Sequence, residues 1–147
     1  MRLFGNHRGV GGGPARGVPP RARVLVVDDE PSICRALSIA LTRAGYEAKW
    51  TQSGEGAHSL LGSERFDILV LDLRIPDVRG DVLYHLAVSL QPHLRGHTLF
   101  ITGDVTDRAQ VLIADCECPL LQKPFRLEDV LASVGAMEPP HEAEESA

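Results

Sequence analysis

The sequence predicts a three-layer α/β domain built on a doubly wound, five-stranded parallel sheet. Three observations predict it. Short apolar runs and helix-length segments alternate five times between residues 23 and 136. The third run, Ile68 to Leu71, is apolar throughout, as a strand covered on both faces requires. Four of the runs end on residues with useful chemistry: Asp28 and Asp29, then Asp72, Thr102, and Lys123 before Pro124. Parallel sheets bind ligands at the carboxyl ends of their strands, so these distant residues are expected to meet in one pocket.

Each element can be justified in order. Strand one spans 23–28 and carries Val24, Leu25, Val26 and Val27. Helix one spans 31–44, with Ile33, Leu37, Ala40, Leu41 and Ala44 on its apolar face. Pro31 suits the first turn of that helix and Gly45 its stop. Strand two spans 46–51 and a short helix two 54–62. Strand three spans 66–72, and helix three spans 80–90 between Gly80 and Pro92. Strand four spans 97–102 and helix four 105–115. Strand five spans 119–122 and helix five 126–136. Helices of this length between parallel strands make right-handed crossovers. Pattern alone does not set the strand order. A flavodoxin-like order, 2-1-3-4-5, places the switch point between strands one and three, which carry Asp28, Asp29 and Asp72.

Charge divides the chain of 147 residues into three parts. Residues 1–23 hold five Arg and no acid, residues 24–137 carry a net −6, and residues 138–147 hold four Glu. The acidic body argues against nucleic-acid binding. Residues 1–21 are rich in Gly, Pro and Arg and poor in bulky apolar residues, which predicts a disordered leader or an upstream linker. Residues 22–136 form the predicted domain, and residues 137–147 a flexible acidic tail. No stretch approaches the roughly 20 apolar residues of a membrane span, so no membrane partner is expected. Cys34, Cys116 and Cys118 lack metal-ligand spacing and suit the reduced thiols of a cytoplasmic protein. His58, His85, His93 and His97 are scattered and share no ligand pattern with a Cys or acid.

The strand-end residues have a common chemistry. Magnesium (Mg2+) takes oxygen ligands, usually one or two carboxylates with waters and phosphate oxygens. Asp29 and Asp72 could supply them, with Asp28 holding a bound water. An aspartate carboxylate can also attack phosphorus and form an acyl phosphate. Lys123, one of two lysines against thirteen arginines, offers a point charge for a phosphoryl oxygen, and Thr102 offers a hydroxyl. Each residue alone has a plainer role as a helix cap, turn residue or strand exit. Their combination in this order is the specific signal.

That combination resembles the receiver domain of bacterial two-component response regulators. The matching segments are Val24 to Pro31, Asp67 to Gly80, Phe100 to Asp104 and Lys123 to Phe125. Asp29, Asp72, Thr102 and Lys123 are separated by 43, 30 and 21 residues, close to the family's usual separations. The resemblance implies the 2-1-3-4-5 sheet and assigns roles by position. Asp72 is the phosphoacceptor, Asp29 holds magnesium directly and Asp28 mainly through water, and the Arg74 carbonyl is a further ligand. Thr102 and Lys123 engage the phosphoryl group. Gly103 leaves room for a phosphodonor, and a cis peptide before Pro124 aims Lys123 into the site. Donors are a histidine kinase or histidine phosphotransfer protein, and a downstream protein reads the state. Such a module assists its own phosphorylation and dephosphorylation and is not otherwise an enzyme.

Two departures carry expectations of their own. Leu120 sits three residues before Lys123, where many receivers carry an aromatic residue that swings inward as a switch. The stretch from Thr102 to Lys123 is about one residue short, which points to an altered helix four. Arg74 and Asp104 each lie two positions past a site residue and should flank the site mouth, either as an ion pair that modulates access of water or as two solvated side chains. About 11 residues follow helix five, too few for a DNA-binding unit, so a single-domain receiver or the receiver of a hybrid kinase is expected. Two other classes compete. An aspartate-nucleophile phosphohydrolase of the haloacid-dehalogenase type needs a second Asp where Arg74 stands. A non-phosphorylated adaptor would have no use for the full set of site residues.

Overall fold

Among the described residues, five strands and five α-helices alternate: β1 (Arg23–Val27), α1 (Pro31–Arg43), β2 (Glu47–Thr51), α2 (Gly54–Ser63), β3 (Ile68–Asp72), α3 (Gly80–Leu90), β4 (Thr98–Thr102), α4 (Asp107–Cys116), β5 (Leu120–Gln122) and α5 (Leu127–Met137). They belong to a computed structural model that describes residues 17–139. The strands form one parallel sheet in the order β2-β1-β3-β4-β5, the order the resemblance implies. β1 and β3 are adjacent, with Val24 opposite Ile68 and Val27 opposite Leu71. Their carboxyl ends therefore emerge side by side.

Side chains alternate across a strand, so the sheet serves two cores. Val24, Val26, Ile68, Val70, Leu99 and Ile101 pack with Cys34, Leu37 and Leu41 of α1 and Val130 and Val134 of α5. Leu25, Val27, Leu69, Leu71 and Phe100 pack with Leu60 of α2, Leu83 and Tyr84 of α3, and Leu112 of α4. Each fully buried Val, Leu or Ile contributes roughly 1.5–3 kcal/mol. The site therefore stands at the end of fully buried strands.

Local chemistry moves several boundaries from their expected places. Helix four begins at Asp107 because Thr106 caps it, its Oγ1 accepting the Ala109 N–H at 3.1 Å. It ends on Glu117 in the left-handed conformation (φ 57°), and three residues later β5 begins. The buried face of α1 is Cys34, Leu37, Ser38, Leu41 and Thr42. Ile33 and Ala44 only flank the core, and Ala40 is half-buried. Small Ser and Thr side chains let the helix lie close to the sheet, and a pattern of apolar residues alone passes over them. A short 3-10 turn, Pro92–Leu94, follows α3.

The two ends of the described chain meet. Arg21 Nη2 lies 2.7 Å from Glu138 Oε1, and the guanidinium stacks 4.6 Å over the Tyr46 ring. Met137 completes α5 and is buried. Arg21, Met137 and Glu138, assigned by sequence to leader and tail, thus make contacts with the folded body. Residues 1–16 of the expected leader and 140–147 of the expected tail lie outside the described residues. Among those described, no helix is long and apolar enough to cross a membrane.

Candidate functional site

At the carboxyl edge of the sheet, β1 ends before Asp28 and β3 ends on Asp72. Both carboxylates are buried, and Asp29 beside them is exposed. Carboxylate oxygens of Asp28, Asp29 and Asp72 all lie within 4.8 Å of one another. The β5–α5 loop brings in Lys123, which precedes a cis peptide to Pro124. Its Nζ lies 3.0 Å from Asp72 Oδ2, 3.0 Å from Asp28 Oδ2 and 2.7 Å from Glu30 Oε1. A cleft of about 600 Å³ opens over this group, lined by Asp29, Glu30, Asp72, Arg74, Gly103, Asp104 and Lys123 among others.

Every oxygen of the Asp72 carboxylate is held. Oδ1 accepts the Arg74 backbone N–H at 2.9 Å, and Oδ2 accepts from Lys123 at 3.0 Å. Asp28 Oδ1 accepts the Glu30 N–H at 2.8 Å. Asp28 Oδ2 faces Lys123 but has no aligned hydrogen bond. Burial pushes the Asp28 carboxyl up to about 6, and the neighbouring Asp72 charge adds to this, against the pull of the Glu30 N–H and Lys123. Burial lowers the Lys123 ammonium, but Glu30, Asp72 and Asp28 outweigh it and leave the pKa well above the ordinary lysine value. An under-bonded buried oxygen among three clustered carboxylates is the donor set of a hard divalent cation. The residues present therefore fit magnesium.

The remaining site residues ring this centre. Thr102 is fully buried at the end of β4. Its Oγ1 donates to the Asp104 carbonyl at 3.1 Å and accepts the Asp104 N–H at 3.2 Å. A Cβ added to Gly103 would meet nothing within 4 Å, so packing does not require the glycine; it leaves open cleft. Arg74 Nη1 lies 2.9 Å from Asp104 Oδ2, the paired one of the two arrangements left open by the sequence. Leu120 is half-buried against the α2–α4 side of the sheet, next to Phe100 in the β4–β5 register. The β3–α3 loop is drawn in by two contacts: Gly80 approaches the Leu73 backbone, and Asp77 accepts the N–H groups of Gly54 and Glu55. Cys34 lies under the site and donates to the Asp28 carbonyl at 3.1 Å; burial pushes its thiol up to about 12, marking it as structural. His58 and His85 are exposed, and the ring nitrogens of His93 and His97 engage backbone carbonyls away from the cleft.

One member of the cluster was not singled out from sequence. Glu30 stood in the matching segment as a helix-entry residue. Its contact with Lys123 spans 93 positions, so no local signal announces it.

The family model for the response regulator receiver domain matches residues 24–135. The chain belongs to that family. It is a receiver domain of two-component signalling. The chain is 36% identical over 116 residues to the transcriptional regulatory protein KdpE of Mycobacterium tuberculosis, covering 77% of this chain and 49% of that protein. It is 32% identical over 119 residues to the response regulator receiver protein CpdR of Brucella abortus, covering 78% and 95%. This receiver thus spans about half the length of KdpE and nearly all of CpdR. Among solved structures, a CheY-like receiver domain protein from Methanospirillum hungatei superposes with a TM-score of 0.73 at 22% identity, covering 81% of this chain and 93% of that one. A response regulator from Burkholderia pseudomallei, solved with a phosphorylated aspartic acid, calcium ion and citrate, superposes with a TM-score of 0.68 at 27% identity, covering 84% and 69%.

Proposed function

We propose that this receiver takes a phosphoryl group from a phosphohistidine onto Asp72 and signals through the rearrangement that follows. The observation that carries the reading is the Asp72 carboxylate. It is buried at the end of β3, held by the Arg74 N–H and Lys123, and flanked by two further carboxylates.

A carboxylate oxygen of Asp72 attacks phosphorus in line with the bond to the donor imidazole. The phosphorus–nitrogen bond breaks, its electron pair leaves with the imidazole, and the ring takes a proton. The product is an acyl phosphate on Asp72. Asp28, Asp29, Asp72 and the Arg74 carbonyl would hold magnesium, which when bound offsets charge on the phosphoryl oxygens. Lys123 supplies an ammonium to one phosphoryl oxygen. Thr102 reaches another by giving up the Asp104 carbonyl, so phosphorylation pulls on the β4–α4 loop. Gly103 leaves a path for the donor. Hydrolysis ends the signal: water attacks phosphorus, the acyl-phosphate P–O bond breaks, and the Asp72 carboxylate returns with inorganic phosphate.

The donor is a histidine kinase or a histidine phosphotransfer protein, and a downstream protein reads the state or accepts the phosphate. Leu120 has no ring to flip, so coupling from Thr102 runs through the loop backbone and the Arg74–Asp104 pair instead. The test is intact mass after incubation with acetyl phosphate and magnesium. Wild type should gain one phosphate and Asp72→Ala none; equal labelling of both would refute the assignment.

A further inference from the structure

A lysine ammonium has three N–H donors and no acceptor. Three carboxylates surround that of Lys123: Asp28, Asp72 and Glu30. Glu30 and Asp72 take hydrogen bonds from it and Asp28 faces it as an ion pair, so a phosphoryl oxygen arriving at Lys123 competes with these carboxylates for its N–H donors. Asp28 is fully buried and has no water to move into. Asp72 is the acceptor itself, fixed at the end of β3 and held also by the Arg74 N–H. Glu30 is the member with somewhere to go: its side chain is 53% exposed and lines the cleft.

The local structure supports the same choice. Glu30 occupies the N-cap position of α1, yet its carboxylate makes no cap hydrogen bond. Pro31 at the first helical turn has no N–H to satisfy. The backbone of Glu30 is anchored independently, its N–H donating to Asp28 Oδ1 at 2.8 Å. The side chain can thus swing away without unwinding the helix or loosening the acid pair. Its contact with Lys123, at 2.7 Å, is the shortest of the three.

We propose that Glu30 is a positioning residue that holds the phosphoryl group's place on Lys123 until phosphorylation displaces it. The proposal rests on Asp72 being the phosphoacceptor. In the resting protein the contact keeps Lys123 aimed across the acid cluster. It also competes with any incoming phosphoryl-like anion and so lowers its apparent affinity. Because Glu30 is half exposed, the competition is modest, about twofold to fivefold in affinity.

The test uses beryllofluoride as a phosphoryl mimic, titrated in magnesium and read as bound fluoride by 19F NMR. Wild type is compared with Glu30→Gln, Glu30→Asp and Asp72→Ala. Glu30→Gln should bind about twofold to fivefold tighter. Glu30→Asp should match it, because the side chain is one methylene too short to keep the contact while retaining the charge. A residue with only a structural role would not raise affinity. Unchanged or weaker binding by Glu30→Gln overturns the assignment. So does Glu30→Asp behaving like wild type, since charge at the cleft mouth and not the contact would then govern. Binding that does not depend on Asp72 overturns the phosphoacceptor reading, and the role of Glu30 falls with it.

Discussion

Separating Arg74 from Asp104 should shorten the life of the acyl phosphate. The pair spans the cleft mouth at 2.9 Å, with side chains 64% and 60% exposed. Such an exposed ion pair is worth about 0.2–1 kcal/mol. If water must open it to reach phosphorus, its loss accelerates dephosphorylation by between about 1.4-fold and fivefold. Arg74→Ala keeps the backbone carbonyl and N–H of residue 74, so it removes the gate without removing those site groups. The assay is decay of the phosphate-sized mass increment after acetyl phosphate is removed. Arg74→Ala and Asp104→Ala should each decay faster, and the double variant no faster than either one, because a single missing partner already opens the gate. At 1 M salt the screening length falls to about 3 Å, so wild type should accelerate and the variants should not. Unchanged decay in both single variants, or fully additive effects, would refute the gate.

Three further outcomes follow from the packing and the charges. Gly80→Ala places a Cβ 2.5 Å from the Leu73 Cα, a backbone atom with little room to move; urea unfolding should show a loss of about 1–3 kcal/mol, and a loss under 0.5 kcal/mol would contradict the close approach. Asp28→Asn removes one of the crowded carboxylates, so in metal-free buffer its melting temperature should equal or exceed that of wild type while magnesium affinity drops about tenfold or more. A lower metal-free melting temperature would show that the Lys123 pair outweighs the crowding. Burial raises the Glu64 carboxyl, but Lys49 and Arg23 outweigh it and hold the pKa below its ordinary value of 4.5. A depressed folded-state pKa gives stability that is present above the unfolded value and lost as pH falls through the folded one. Stability should therefore fall from pH 5 toward pH 3 more steeply in wild type than in Glu64→Gln, and equal slopes in chemical denaturation would count against the network.

Strand ends were the legible part of this molecule, and the family resemblance supplied the sheet order. β1 and β3 read clearly because buried parallel strands leave uninterrupted apolar runs, and their last residues name the site. The separations of Asp29, Asp72, Thr102 and Lys123 then specify a family pattern that no single residue carries. The buried face of α1 was misread because Ser38 and Thr42 lie inside the core, where a hydropathy pattern expects neither. The start of α4 was placed two residues early. Thr102 and Asp104 look like a cap in sequence, yet Thr106 makes the bond and Thr102 spends its hydroxyl on the Asp104 backbone. Glu30 escaped notice for a different reason: its partner is set by where the β5–α5 loop lands, and that is a tertiary fact. The Arg74–Asp104 pair, also distant in sequence, was only half legible: two steps beyond the strand ends places both residues at the mouth, but exposed side chains there can pair or stay solvated, and sequence does not choose.

If Asp72 itself becomes the acyl phosphate, borohydride traps it there. Protein treated with acetyl phosphate and magnesium, reduced with borohydride and digested, should show the reduced side chain by peptide mass spectrometry at Asp72 and at no other carboxylate. Reduction at Asp28 or Asp29, or an unmodified Asp72 in protein that has gained phosphate, would contradict the account.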